Sequence, residues 1–307
     1  MTNRKYVLVF PGQGISTAHD LHRMPTYRLD RGLLAVVDSV ARRFLGLRVT
    51  LDCRDQSAVF PLLLYAAAVG HYLELVQQGD CPAVVMGHSF GEIAALVCAG
   101  GFSVQTGAEI ICHRTLAIKA SSPRGAMVAL NANVRVAKRI LRLVRGNVAL
   151  AAQNSEREIV LSGSERAIDA VIAIAAATEV RAKRVRANFP YHCRPLMEAA
   201  ASDFLRRIEG LPSTEPRTPA YSPILQRFYN HDDKLQSCLA DHLLQPVMLE
   251  NGIRDLRSRG FCSFAECGHL RGLLRSETEP TAGLEPAANV SPGPSASAAA
   301  WLQTVCQ

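Results

Sequence analysis

Two short, unbroken apolar runs stand out near the start of the chain, Tyr6-Val7-Leu8-Val9-Phe10 and Ala83-Val84-Val85-Met86, and each ends in a glycine-bearing turn. Runs of this length bounded by turn signals read as strands of a parallel sheet. The second run leads through Gly87-His88-Ser89-Phe90-Gly91 into a helical stretch from Glu92 to Ala99, and strand–helix alternation continues to Ala120. The rhythm then changes. Ala126 to Leu130 predicts a strand, Val134 to Val144 a helix, Val148 to Gln153 and Ile159 to Ser162 two strands, Glu165 to Ala176 a helix, and Val180 to Val185 a strand. That order, βαββαβ, is the ferredoxin-like unit. The expected fold is therefore α/β, a hydrolase-like parallel-sheet catalytic domain from residues 1–123 and 187–275 with an inserted ferredoxin-like subdomain at 124–186. From Ser276 the chain turns to Pro, Ala and Ser with little hydrophobic patterning, so 276–307, including Trp301, is expected to be a disordered tail.

Composition narrows the class. With 307 residues, 48% of them hydrophobic, the chain can bury a substantial core. The longest apolar stretch, Ala58 to Val69, contains Pro61 and falls short of the roughly 20 residues a spanning helix needs, so no membrane partner is expected. Nine cysteines without a regular pairing pattern, behind a start (MTNRKYVLVF) that is no signal peptide, read as reduced thiols of a cytoplasmic protein. Cys262-x4-Cys267-x-His269 lacks four ligands at zinc-like spacing, so no metal is expected.

The formal net charge of +7 is unevenly distributed. Arg181, Lys183, Arg184 and Arg186 cluster in one place, and Arg135, Lys138, Arg139, Arg142 and Arg145 crowd one predicted helix. Such fields favour an acidic partner, although the second group reads equally well as a solvated helix face. Nucleic acid is not expected, because no recognised motif or interleaved aromatics accompany the charge.

Candidate chemistry centres on Gly87-His88-Ser89-Phe90-Gly91. A strand, a sharp turn and then a helix is the context of a G-x-S-x-G nucleophile elbow, in which the glycines let the chain turn tightly enough to expose the serine hydroxyl. Ser89 then stands at a helix N-terminus, where the Phe90 N–H is the natural first donor to an oxyanion. The turn after the first strand, Pro11-Gly12-Gln13-Gly14, brings an amide side chain, Gln13, to the carboxyl end of a neighbouring strand, where open α/β sheets bind ligands.

With these pieces the chain resembles the malonyl-CoA:acyl carrier protein transacylases and the acyltransferase domains of polyketide synthases, in the discrete, trans-acting form. The resemblance rests on FPGQG (Phe10 to Gly14), GHSFGE (Gly87 to Glu92) with IAALVCAG, Arg114 in ICHRTLAIKA, GAMVAL (Gly125 to Leu130), Asn154-Ser155 before IVLSG, and Tyr191-His192-Cys193, in family order from Tyr6 to about Leu274. It implies the same two-part architecture, with the active site in the cleft between the parts. It also implies Ser89 as nucleophile and His192 as its base, with the His192 imidazole oriented by a backbone carbonyl, that of Met248 in QPVML. Such a dyad suits an activated thioester, since a neutral imidazole accepts a serine proton near pH 7.

The resemblance further assigns Arg114 to the free carboxylate of a malonyl group, a pairing that its planar fork suits and that offsets the cost of burying it. Gln13 and Phe90 are expected at the oxyanion, and His88 and Tyr191 in the substrate pocket. Phe90 and Tyr191 are bulkier than the usual family residues and would crowd an α-substituent, which favours malonyl over methylmalonyl. Ile15-Ser16, Phe60-Pro61 and His269 also depart from the family pattern. The expected activity is transfer of a malonyl or related group from an acyl-CoA to the phosphopantetheine thiol of an acidic acyl carrier protein, by a monomer with no bound cofactor, in fatty acid or polyketide synthesis. Three other readings stand beside it: a proofreading acyl hydrolase, a transferase of unusual acyl units between carriers, and a catalytically silent carrier-docking protein.

Overall fold

A computed structural model describes residues 5–13, 31–50, 58–267 and 274. Gly14, Ile15-Ser16, His269 and the expected tail with Trp301 lie outside the described residues. Contacts divide the chain into two compact units: Met1–Ala108 with Thr214–Ala220 and Phe261–Gln307, and Glu109–Ser213 with Tyr221–Gly260.

The first unit is built on parallel strands. β1 (Tyr6–Phe10) pairs in parallel with β10 (Ser263–Glu266) on one side and with β2 (Val84–Gly87) on the other. Every residue of β1 and β2 is buried, as their unbroken apolar runs require. Around them lie α1 (Arg31–Leu45), α2 (Phe60–Gln77) and α3 (Gly91–Cys98). The buried residues of α1, Leu33, Val37, Val40 and Ala41, fall at helical spacing on one stripe. In α2, Pro61 stands in the first turn, where its missing N–H costs nothing, and the apolar run behind it is a core helix. All eight residues of α3 are buried. Among the described residues, no helix is long and apolar enough to cross a membrane.

The second unit begins inside α4 (Val104–Ser121), between Ala108 and Glu109. It contains β3 (Ala126–Asn131), α5 (Val134–Leu143), β4 (Val148–Ser155), β5 (Glu158–Gly163), α6 (Glu165–Ala177) and β6 (Ala182–Val185), the predicted order with ends shifted by a residue or two. Both helices start where side chains cap them. Asn133 Oδ1 accepts from the N–H groups of Arg135 and Val136 at 3.0 and 3.1 Å, and Ser164 Oγ from Ala167 N–H at 3.3 Å. Alternate residues of β3, Ala126, Val128 and Leu130, pack with Ala137 and Ile140 of α5 and Ile168 and Val171 of α6.

The sheet order is β6-β3-β5-β4-β9, where β9 (Val247–Met248) adds a strand parallel to β4 that the ferredoxin-like pattern does not contain. The unit also holds α7 (Arg194–Ile208), α8 (Leu235–Asp241), α9 (Leu249–Ser258) and β8 (Arg227–Phe228), which pairs antiparallel with β7 (Ala220–Ser222), a strand whose first residue belongs to the first unit and which, with β8, is part of the β10-β1-β2-β7-β8 sheet. Its limits therefore differ from the expected edges at 123/124 and 186/187. β9 and α9 pack on β4, and α7 packs on α8, which ties these segments to the ferredoxin-like elements.

Candidate active site

In the first unit, β2 runs into a turn at Ser89 and out into α3, as the elbow motif predicts. Ser89 adopts φ +54°, a left-handed conformation that costs a non-glycine residue on the order of 1–3 kcal/mol and is commonest where function requires it. Backbone bonds fix the turn: His88 N–H to Phe10 O at 2.8 Å, Gly91 N–H to His88 O at 3.0 Å, and Glu92 N–H to Ser89 O at 3.0 Å.

The turn after β1 lies directly against this elbow. A Cβ on Gly91 would stand 2.3 Å from Phe10 O, and one on Gly12 would stand 2.9 Å from His88 O. Only glycine allows two backbones to approach this closely. Gln13, next in the chain after Gly12, is half-buried, as are His88 and Ser89, whereas Phe90 is buried. His88 turns Nδ1 into the interior toward Gly12. Ser89, His88, Phe90 and the Gln13 loop are thus gathered within one unit.

His192, Arg114 and Tyr191 are gathered within the other. The Arg114 side chain comes from α4, is 7% exposed, and holds its guanidinium carbon 5.1 Å from the centroid of the Tyr191 ring. It also hydrogen-bonds the Tyr191 phenol, an interaction that raises its pKa against the stronger lowering effect of burial. The Tyr191 hydroxyl is pushed above its ordinary range by burial, with the Arg114 charge opposing. The edge of Phe189 meets the Tyr191 ring at 6.2 Å. A buried, aromatic-backed guanidinium of this kind has the chemistry to receive a planar anion.

His192 is 5% exposed and takes φ +65°, a second left-handed non-glycine residue. Its N–H donates to Leu243 O at 3.0 Å, and its Nδ1 lies 2.7 Å from Gln245 O. A carbonyl only accepts, so Nδ1 carries the proton and the lone pair sits on Nε2, the tautomer of a general base.

The orienting carbonyl is that of Gln245, which corrects the expectation of Met248. Met248 is committed elsewhere, its N–H to Pro223 O at 2.8 Å and its carbonyl to Gln226 Nε2 at 3.0 Å, within the short β9. Gln245 precedes Pro246, which biases its backbone toward extended conformations and supplies no N–H to continue α8. That Gln-Pro pair is the sequence signal for the carbonyl.

Two further residues of this cluster escaped sequence reasoning. His242, at the C-terminal cap of α8, is 5% exposed, and its Nε2 lies 3.2 Å from the Tyr229 hydroxyl. Burial, reinforced by His192 and Arg114, pulls its pKa down to about 3, so it stays neutral at physiological pH. Among the described residues, no group of three or more His, Cys, Asp or Glu is placed to hold a metal ion.

Comparisons with known proteins bear on the family and the fold. The chain is 31% identical over 245 residues to a 6-methylsalicylic acid synthase of Arthrobotrys oligospora, an alignment covering 76% of this chain; the chain spans only 14% of that synthase. Among solved structures it resembles a malonyl-CoA:acyl carrier protein transacylase of Xanthomonas oryzae pv. oryzae, at 29% identity and a TM-score of 0.75, covering 90% of this chain and 92% of the other. The corresponding transacylase of Coxiella burnetii gives 26% identity and a TM-score of 0.76, covering 89% and 90%. The acyl transferase domain family matches residues 38–269, a span that takes in the serine elbow, Arg114 and His192 alike. This chain belongs to the acyl transferase domain family.

Proposed function

We propose that the protein moves a malonyl group from malonyl-CoA to the phosphopantetheine thiol of an acyl carrier protein through an acyl-Ser89 intermediate. Ser89 Oγ attacks the thioester carbonyl while His192 Nε2 takes the serine proton. The Phe90 N–H and the Gln13 loop stabilise the oxyanion. Collapse breaks the carbon–sulfur bond, and the CoA thiolate leaves with the proton from His192. The carrier thiol then gives its proton to His192, attacks the acyl-serine and regenerates Ser89. The observation that carries this reading is the 2.7 Å contact between His192 Nδ1 and Gln245 O, since a proton held there leaves Nε2 as the basic nitrogen.

Arg114 over Tyr191 supports a free carboxylate on the acyl group, and the buried bulk of Phe90 supports malonyl over branched homologues. The α5 surface supports an acidic carrier. Arg135, Lys138, Arg139, Arg142 and Arg145 are all exposed, and none forms an ion pair with a described residue. Arg184, by contrast, is bridged by Glu165 and Asp169. Like charges at i,i+3 and i,i+4 disfavour a helix, a cost that an acidic partner would relieve.

Intact-protein mass spectrometry after mixing with malonyl-CoA tests the proposal. One malonyl adduct should form, map to Ser89, be absent from Ser89→Ala and disappear when a phosphopantetheinylated carrier is added. An adduct that persists in Ser89→Ala overturns it. Release of malonate to water with no acyl-carrier formed would indicate the hydrolase reading instead.

A further inference from the structure

We infer that Tyr229 and His242 form a positioning pair that holds the Leu243 and Gln245 carbonyls against His192 and so fixes the orientation of the base. The inference rests on the assignment of His192 as general base. His192 depends on one short segment. The turn between α8 and β9 supplies both the acceptor for its N–H, Leu243 O, and the acceptor for its ring, Gln245 O. A left-handed backbone at His192 has to be held from outside, and these bonds do so.

The turn is itself anchored at His242. Its backbone N–H closes the last turn of α8 on Cys238 O at 3.0 Å, and its buried ring reaches the Tyr229 hydroxyl at 3.2 Å. Tyr229 sits on a loop that its own side chains lock. The Asp233 carboxylate accepts two bonds from the Arg227 guanidinium, each 2.7 Å, and a third from Asn230 N–H at 2.9 Å, while Asn230 Oδ1 accepts from Asp232 N–H at 3.0 Å. Rigid support therefore runs from the Arg227–Asp233 clamp through Tyr229 and His242 to the carbonyls at His192. A neutral hydrogen-bonding ring suits this position, since a cation there would stand beside Arg114 and His192.

A double-mutant cycle on Ser89 acylation by malonyl-CoA, followed by rapid quench and mass spectrometry, tests the pair. Tyr229→Phe removes one hydroxyl and should slow acylation roughly two- to tenfold at unchanged KM, the range that one neutral hydrogen bond spans. In the His192→Ala background the same substitution should cost nothing further, because the pair acts only through His192. His242→Gln, whose amide can still meet the phenol, should retain most of the wild-type rate. Equal slowing by Tyr229→Phe in both backgrounds, or wild-type acylation in Tyr229→Phe, overturns the inference. Wild-type acylation by His192→Ala would instead remove the base assignment beneath it.

Discussion

Replacing Gly91 with alanine puts a methyl group where the structure has backbone. The new Cβ would lie 2.3 Å from Phe10 O, 2.6 Å from Pro11 O and 2.8 Å from Phe10 C, and none of these atoms belongs to a side chain that can swing away. Restoring an ordinary contact requires the β1 turn and the elbow to separate by about 1 Å. Overpacking of this kind costs about 1–3 kcal/mol, or roughly 2–12 °C in Tm. The displacement falls between the Gln13 loop and Ser89, and a misplacement of about 1 Å can cost on the order of a hundredfold in rate. Gly70→Ala is the control. Gly70 stands inside α2, and among the described residues its Cβ would meet only Leu33 Cδ2 of α1, at 3.6 Å, so alanine should raise stability by about 0.4–1 kcal/mol. Thermal unfolding and Ser89 acylation by malonyl-CoA, measured on both variants, check the argument. A Gly91→Ala protein that melts and acylates like the wild type would refute the reasoning from backbone contact, as would a fall in stability for both variants.

Two other outcomes follow from the second unit. Arg114→Ala should lower kcat/KM for malonyl transfer at least about tenfold, the loss expected for a charge-assisted pair. It should also improve acceptance of acetyl groups relative to malonyl, so equal losses for both in parallel transfer assays would make Arg114 structural. The depressed pKa of His242, about 3 against an ordinary 6.5, gives a definite sign. The unfolded state takes up the proton first on acidification, so this contribution to stability is complete above the ordinary value and falls as pH drops from there toward about 3. Between about pH 7 and about pH 5, urea melts should show the wild type losing about 2 kcal/mol more than His242→Gln; matching slopes would contradict a neutral buried ring.

The ferredoxin-like elements were legible because local signals agree there. Asn133 and Ser164 cap the helices, and the inward residues of β3 alternate with outward ones. The elbow was legible for a related reason, since Gly12 and Gly91 record close approaches that the sequence must honour at those positions. β8 and β9 were not, because strands of two residues carry no period. Nor was the pairing of His242 with Tyr229, side chains 13 positions apart whose meeting depends on how α8 and the loop after β8 fold together. The misplaced carbonyl shows the limit of resemblance. Gln245 in the turn and Met248 in β9 stand three positions apart, and only hydrogen-bond accounting separates them.

The basic strand β6 has a consequence unrelated to any acidic partner. β6 is an outer strand of its sheet, paired on one side to β3, and an outer strand offers its unpaired amides and carbonyls to any extended chain that drifts past. Lys183 and Arg184 stand exposed on it, with Arg181 and Arg186 just beyond its ends. A second copy approaching strand to strand would bring like charges together before a ladder could form. Arg184 is also drawn toward α6 by Glu165 and Asp169, which keeps its bulk beside the edge. Exposed cations of this kind disfavour edge-to-edge growth, and exchanging them for threonine or valine should raise the tendency to aggregate, read by light scattering, without touching the candidate site residues.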